Sequence, residues 1–439
     1  MEATIYVPII LMLVFLFLGV PVGVTLGICG ILGLYMLKGS AAFIMAPQML
    51  FSSVNNFLLV AVPLFITMGV ILGHGGKAGI GGRLYKFFDA MLRHIPGGLG
   101  IATVLTCSVL AAMIGTSVAV AVMVGAFAVK NMTDYGYPIT MSTGAVVGGG
   151  ALGMLIPPSL PMIFYGSMTM ESIGDLFMAG MIPGLIVSFL FCAYIFVKCS
   201  MKKSVVKVAK AASWKERWDA LRQSYWGLVI PAFIIIALYT GLATPTELAA
   251  LGCFLSLFGC LFVHGTIKYG DILGVLRHGV RSSAMILIII AGAVLFGSYV
   301  VQAGISEAMV RFFKDNDISL AGFLIISMLI ILVMGMFLEG AAIMLISIPV
   351  LHPVCVAYGF PVIAYAVMLV INIECAMITP PVGLNLFAIS GICRTEGIPA
   401  TMSTLISGSW PYLVMYMSVM TLVAIFPQVA LWLPMHALK

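Results

Sequence analysis

The sequence predicts an all-α polytopic membrane protein: two inverted structural repeats of about five crossings each, with two re-entrant hairpins and two broken helices. Three observations predict it. The first is composition: of 439 residues, 62% are hydrophobic and 8% charged, with a mean hydropathy of +1.19, where soluble domains carry roughly 25% charged residues. The second is that the long apolar runs form two series of the same order, separated by one basic segment. The third is that breaks of the same kind interrupt those runs at matching places.

A spanning helix takes about 20 apolar residues, so the length allows roughly ten to twelve crossings and leaves no room for a large aqueous domain. Any soluble partner must be another chain. The excess of 21 Lys and Arg over 15 Asp and Glu does not point to nucleic acid, because the cations sit in particular connections and report orientation instead. Nine cysteines, none at C-x-x-C spacing, lie mostly inside apolar runs and read as small packing residues. The first apolar run starts almost at once, has no basic leader and continues past Leu37. It reads as a membrane segment rather than a signal peptide.

The first series of apolar stretches covers residues 5–19, 21–38, 55–73, 98–130, 138–168 and 174–197. Lys198, Lys202, Lys203, Lys207, Lys210, Lys215, Arg217 and Arg222 then mark the one extended hydrophilic segment. The second series covers 224–241, 246–264, 282–302, 319–357, 361–393 and 400–435. The chain thus divides into a first repeat over 1–197, a basic cytoplasmic linker over 198–223 and a second repeat over 224–439. Each repeat holds an arm (77–94 and 304–315), a hairpin (98–130 and 319–357) and a broken helix (138–168 and 361–393).

Local identity supports a duplication. Ala78-Gly79-Ile80 recurs as Ala303-Gly304-Ile305, and Phe87-Phe88 as Phe312-Phe313, both shifted by 225 residues. Farther on the shift is 223: Tyr135-Gly136-Tyr137-Pro138 matches Tyr358-Gly359-Phe360-Pro361, Pro157-Pro158 matches Pro380-Pro381, and Gly174 matches Gly397.

Whether the halves run parallel or inverted depends on whether each crosses an even or odd number of times. Residues 98–130 decide it. Divided at Gly115-Thr116-Ser117, the segment has arms of about 16 and 13 residues that reach roughly 24 and 20 Å, short of a core of about 30 Å. One long tilted helix would also fit the length, but not the charges. Lys77, Arg83, Lys86 and Arg93 precede the segment and Lys130 and the basic linker follow it, and all of these belong in the cytoplasm. A re-entrant hairpin reconciles them, gives five crossings per half, and therefore inverts the repeats with both termini outside. Of the 21 cations, 17 then face the cytoplasm, leaving Lys38, Arg311, Lys314 and Lys439 outside.

Inverted repeats place a substrate site near the bilayer midplane, between broken helices. The first half offers Gly115-Thr116-Ser117 and Ile156-Pro157-Pro158-Ser159, and the second offers Gly335 to Gly340 and Thr379-Pro380-Pro381-Val382-Gly383. Paired prolines remove backbone donors and clash with the preceding turn, so the helix opens there. The freed carbonyl ends suit a cation such as sodium, and the freed N-H ends attract anions. Thr116 and Ser117 are placed to cap the second hairpin arm, and Thr379 the half-helix after it. Ordinary capping and cation ligation are both open for these hydroxyls.

No Lys or Arg falls at the expected midplane, so an anionic substrate would meet helix N-termini and hydroxyls. Glu339 and Glu374 are candidates for cation or proton coupling, because carboxylates at that depth are expensive. Each could instead be structural, bonded to backbone N-H groups or a partner chain. Glu247 fits a capping role in the first turn after Pro245. The histidines, with only His352 in an apolar run, show no ligand spacing, and no nucleophile elbow, H-E-x-x-H or Walker motif is present.

The combination of Gly153-Met154-Leu155-Ile156-Pro157-Pro158-Ser159, Ser172-Ile173-Gly174-Asp175-Leu176-Phe177 with Gly180 and Pro183-Gly184, Thr244-Pro245-Thr246-Glu247, Gly335-Met336-Phe337-Leu338-Glu339 and Ile378-Thr379-Pro380-Pro381-Val382-Gly383-Leu384-Asn385 resembles the large membrane subunit, DctM type, of tripartite ATP-independent periplasmic (TRAP) transporters. The match runs over nearly the whole chain. The resemblance implies an elevator-type secondary transporter in a bacterial inner membrane, not an enzyme, with both termini periplasmic and driven by a sodium gradient. It also implies a small four-helix membrane subunit as partner, and a periplasmic binding protein that delivers an organic acid such as a C4-dicarboxylate or a sialic acid. By that likeness, Gly115, Ser117, Gly335, Glu339, Thr379, Pro380 and Gly383 hold sodium. Gly115, Thr116, Ser117, Pro157, Pro158, Ser159, Gly340 and Asn385 border the substrate. The sequence departs from the family pattern in carrying Glu at 339 and a tip poorer in Ser at 115–117.

Two other functions remain open at this stage. A stand-alone divalent-anion/sodium symporter would share the architecture and need no partners, and a membrane-embedded redox or proton-pumping subunit would need a bound cofactor or a string of titratable residues.

Overall fold

The computed structural model describes residues 2–75, 78–201 and 210–437, with side chains from Tyr6 onward. Lys77, Lys202, Lys203, Lys207 and Lys439, which carry part of the orientation argument, lie outside the described residues.

Among the described residues the chain is helical with no strand. Its first half runs α1 (Glu2–Phe17), α2 (Val22–Lys38), α3 (Ala41–Val54), a 3-10 turn (Phe57–Val60), α4 (Ala61–Gly73), α5 (Ile80–Leu92), α6 (Gly98–Ile114), α7 (Ser117–Asp134), α8 (Ile139–Gly150) with a 3-10 extension (Ala151–Met154), α9 (Leu160–Thr169) and α10 (Ile173–Met201). The second half runs α11 (Trp214–Tyr239), α12 (Pro245–Phe258) with a π turn (Gly259–Val263), α13 (Ile272–Gln302), α14 (Ile305–Asp315), α15 (Leu320–Gly335), α16 (Gly340–Ala357), α17 (Val362–Met377), α18 (Leu384–Thr395), α19 (Met402–Ile425) and α20 (Gln428–His436).

Seven of the described helical segments are long and apolar enough to cross a membrane, or eight if α3 and the segment Phe57–Gly73, bent by 55°, make one span. Most of the other apolar helices have 10–17 residues, the lengths that interrupted segments leave.

Several boundaries differ from the sequence expectation, each for a local reason. Residues 41–54 form α3 although Ser40, Pro47 and Gln48 dilute the apolar signal there. The helix α13 begins at Ile272 rather than 282, and α10 and α11 likewise reach into the basic segment. Lys and Arg are good helix formers, so helix does not stop where hydropathy does. The arm α7 runs to Asp134, and its 18 residues reach about 27 Å. The last expected span divides at Pro427, whose ring and missing N-H end α19 and start α20.

Glu247 does cap α12: its Oε2 accepts from the Thr244 N-H at 2.7 Å while the Thr244 hydroxyl accepts from the Glu247 N-H. The arm helix α5 is tied to the α12–α13 connection. Arg83 Nη1 lies 2.9 Å from His264 Nδ1, and Arg83 Nη2 donates to the His264 carbonyl at 3.3 Å. Burial, helped by the Arg83 charge, holds the His264 ring below the usual histidine range.

Both hairpins are antiparallel pairs. The Thr103 hydroxyl of α6 meets Met132 Sδ of α7 at 3.4 Å, and Leu110 and Met123 face Gly81 of the arm together. In the second hairpin the Tyr358 hydroxyl donates to the Ile318 carbonyl, and Ile343 faces Gly335. Contacts then exchange between halves: α7 packs on α18 while α16 packs on α9, and α8 packs on α19 while α17 packs on α10.

The frame around this core includes the close crossing of α2 and α13. Helices in lipid associate by packing, and small residues let backbones approach. A Cβ on Gly30 would sit 2.6 Å from the Phe296 nitrogen and one on Gly292 2.2 Å from the Gly23 carbonyl, whereas one on Gly27 would meet nothing closer than 3.9 Å. Gly30→Ala is therefore expected to destabilise the fold by about 1–3 kcal/mol, the scale of overpacking, and Gly27→Ala to leave it unchanged. Thermal midpoints in detergent check this; equal midpoints for the two variants would contradict the crossing.

Candidate functional site

Each interruption has a local cause. Helix α6 ends on Gly115 at φ +71°, a left-handed conformation that glycine adopts without a Cβ penalty. Thr116 is extended and α7 starts at Ser117. The first broken helix opens over 155–159, where Pro157 and Pro158 offer no N-H, and the second over 378–383, where Pro380 and Pro381 do the same. The Pro157–Pro158 and Pro380–Pro381 peptide bonds are both cis. Gly383, at φ +53°, lets the chain re-enter α18. The second hairpin turns over 336–339.

Both tips and the first break converge, and the helices flanking the second break reach the same place. A Cβ on Gly115 would lie 2.8 Å from the Pro158 carbonyl oxygen, and one on Gly153 2.7 Å from that of Thr116, so the first tip rests on the first break. A Cβ on Gly340 would lie 2.9 Å from Ile373 and 3.0 Å from Met154 Sδ, and one on Gly335 2.3 Å from Ala376. The second tip thus rests on α17 and on the first break. At the centre, Glu374 of α17 is fully buried. Its Oε2 accepts from the Ser117 hydroxyl at 2.8 Å, and its Oε1 from the Met154 N-H at 3.0 Å. Asn385 of α18 donates from Nδ2 to Ser117 Oγ at 2.8 Å.

The structure distributes the expected site residues unevenly around this centre. Ser117 and Asn385 belong to the network. Gly115, Thr116, Pro158 and Gly340 pack in its wall, and Ser159 Oγ and Asn385 Oδ1 are buried with no hydrogen-bond partner. Such orphaned oxygens are expensive unless a ligand or water reaches them. Pro157 points elsewhere, lining an apolar groove of about 350 Å³ with α10, α11 and α20.

The capping expectation needs correction. Thr116 is the N-cap of α7 but makes no side-chain cap bond, and the Ser117 hydroxyl turns to Glu374 instead. Thr379 does not cap the following half-helix, which starts at Leu384 with Gly383 before it. Its hydroxyl donates back to the Cys375 carbonyl at 2.6 Å, the local bond that Thr makes readily at a helix end. Glu339 stands at the N-cap position of α16, half-buried, with no side-chain cap bond. Met154 was not among the expected residues. Its part is a backbone N-H, which no side-chain pattern reveals.

The chemistry available is that of oxygens and dipoles. Hydroxyl, amide and carbonyl oxygens around a buried carboxylate suit a hard cation that prefers oxygen ligands. Among the described residues, Glu374 is the one Asp, Glu, Lys or Arg in the buried class, and no group of three or more His, Cys, Asp and Glu is placed to hold a metal.

A family model described as the tripartite ATP-independent periplasmic transporter, DctM component, matches residues 9–429. The chain belongs to that family. It is therefore a large permease component of a TRAP transporter, a multi-pass membrane protein and a transporter rather than an enzyme. It is 34% identical to the C4-dicarboxylate TRAP transporter large permease of Rhodobacter capsulatus over 97% of each chain. It is 32% identical to the sialic acid TRAP transporter large permease of Vibrio cholerae over 95% of this chain and 96% of that one. A solved structure of the Alcanivorax borkumensis YdaH transporter has the same fold at a TM-score of 0.64, with 13% identity and 98% of each chain covered.

The tip geometry of this permease predicts a selective defect. Gly115 and Gly39 both have positive φ, but a Cβ on Gly39 meets nothing within 4 Å. Gly115→Ala adds a clash with the Pro158 carbonyl to the same backbone strain. Uptake is expected to fall by roughly tenfold in Gly115→Ala, because a site held within about 0.5 Å is displaced, and to stay within about twofold of the parent in Gly39→Ala. Equal uptake by both variants in reconstituted vesicles would refute the role of the tip.

Proposed function

We propose that this chain is the permease of a sodium-coupled importer of small organic acids, C4-dicarboxylates or sialic acids among them, received from a periplasmic binding protein. The observation that carries the proposal is the meeting of both hairpin tips, the first break and the helices flanking the second around Glu374, Ser117 and Asn385. Open backbone at membrane depth persists where it is buried in protein or lines a cavity, and broken helices at a repeat interface are the usual setting for substrate and coupling ion. The relatives that transport C4-dicarboxylates and sialic acid, by their names, support the substrate class.

In this reading sodium is held by carbonyl and hydroxyl oxygens of Gly115, Ser117, Gly335, Glu339, Thr379, Pro380 and Gly383. The acid lies against Gly115, Thr116, Ser117, Pro158, Ser159, Gly340 and Asn385, with Pro157 supporting from behind. With no buried Lys or Arg among the described residues, the substrate's negative charge is met by helix N-termini and by the bound cation. The exchange of contacts between the halves supports a repeat, and the distribution of basic residues supports its inversion. The hairpins and broken helices then move as one body past the scaffold helices in elevator fashion. The arms α5 and α14 connect the two parts. The basic linker lies in the cytoplasm of a bacterium and both termini in the periplasm. A small four-helix membrane subunit packs against the exposed apolar scaffold.

Co-reconstitution of the permease with its small subunit and binding protein tests this. Uptake of the binding protein's ligand should require an inward sodium gradient and all three proteins. Thr379→Val should raise the sodium concentration for half-maximal uptake by roughly tenfold, the scale of losing a ligand or its close partner, at unchanged protein yield. Sodium-independent uptake would overturn the coupling, and uptake by this chain alone would favour a stand-alone symporter.

A further inference from the structure

The carboxylate at the centre of the site has a definite hydrogen-bond polarity. The Met154 N-H can only donate, so Glu374 Oε1 accepts. The Asn385 amide donates into Ser117 Oγ, which directs the Ser117 proton toward Glu374 Oε2. Both carboxylate oxygens are therefore engaged in hydrogen bonds shielded from water. The three donors come from three elements: the first hairpin tip, the 3-10 turn before the first break and, through Ser117, the helix after the second break. Glu374 itself sits on the helix before the second break. One side chain of the second half thus fastens the tip and the break of the first.

The second tip is held differently. Gly335 and Gly340 meet α17 through Ala376 and Ile373, and Glu339 makes no side-chain cap bond. Among the described residues this polar tie is peculiar to the first tip. Hydrogen bonds between buried polar groups are directional, and losing one partner leaves the other unsatisfied.

We propose that Glu374 is a positioning residue. It clamps the first hairpin tip onto both broken helices and so sets where the Ser117 oxygen and the Thr116 backbone stand for the transported ion and acid. This rests on the sodium-coupled reading above for its kinetic consequence, but the clamp itself does not.

The test introduces Thr116→Cys as a reporter and measures its labelling rate by a small membrane-permeant maleimide in the reconstituted full complex, above the background of the native cysteines. Sodium activation of uptake is measured in parallel in permeases that keep Thr116. Glu374→Ala should raise labelling of the reporter thiol at position 116 and increase half-saturating sodium roughly tenfold or more, as loss of an outer partner of an ion ligand does. Glu374→Asp should recover part of both effects. Where Glu374→Ala does not yield folded protein, Ser117→Ala removes the tie from the other side and should raise labelling equally. Folded variants with parental labelling and parental sodium activation would overturn the proposal. If the parent shows no sodium activation while labelling still rises on loss of Glu374, the coupling fails and the clamp stands.

Discussion

A peptide group left unpaired in the hydrocarbon core has no water to turn to, so a chain that opens its helices there must supply partners from within. This permease breaks two helices and turns two hairpins, and it brings both tips, the first break and the helices flanking the second to one place. Gly115 approaches the Pro158 carbonyl, Gly153 approaches that of Thr116, and the Met154 N-H is taken up by Glu374. The remaining architecture serves that convergence. The hairpins provide tips that can reach the centre, the exchange of contacts between halves makes each half lean on the other, and the scaffold crossing at Gly30 and Gly292 holds the frame around them.

In the proposed reading, the same constraint explains how a charged cargo is met without a buried Lys or Arg among the described residues. Opened helices expose N-H dipoles at one end and carbonyl oxygens at the other, so one break can face an anion and another a cation. Ser159 Oγ and Asn385 Oδ1, buried without partners, are the kind of oxygens that a bound ion, acid or water completes.

Much of this was legible in the sequence because prolines and glycines act locally. Pro157-Pro158 and Pro380-Pro381 cannot continue a helix, and Gly115 suits a left-handed turn, so the breaks could be located from residue types alone. The family could be recognised from the same motifs. Other features were hidden because they depend on the far side of the fold. The Thr116 and Thr379 hydroxyls looked like caps, yet Thr379 bonds back to its own helix, and Ser117 finds an acceptor 257 residues away in Glu374. Met154 contributes only its backbone. Helix ends in the basic segments were misplaced because hydropathy marks the edge of the lipid and not the end of the helix.

The first tip and both broken helices share one buried network, and the second tip packs against it. A cryo-electron microscopy map of the chain in sodium-containing nanodiscs tests it most directly. The expected map shows helices interrupted at 155–159 and 378–383, with Ser117 in hydrogen-bond contact with Glu374. Continuous helices through either segment, or a first hairpin tip separated from Glu374 by other side chains, would contradict it.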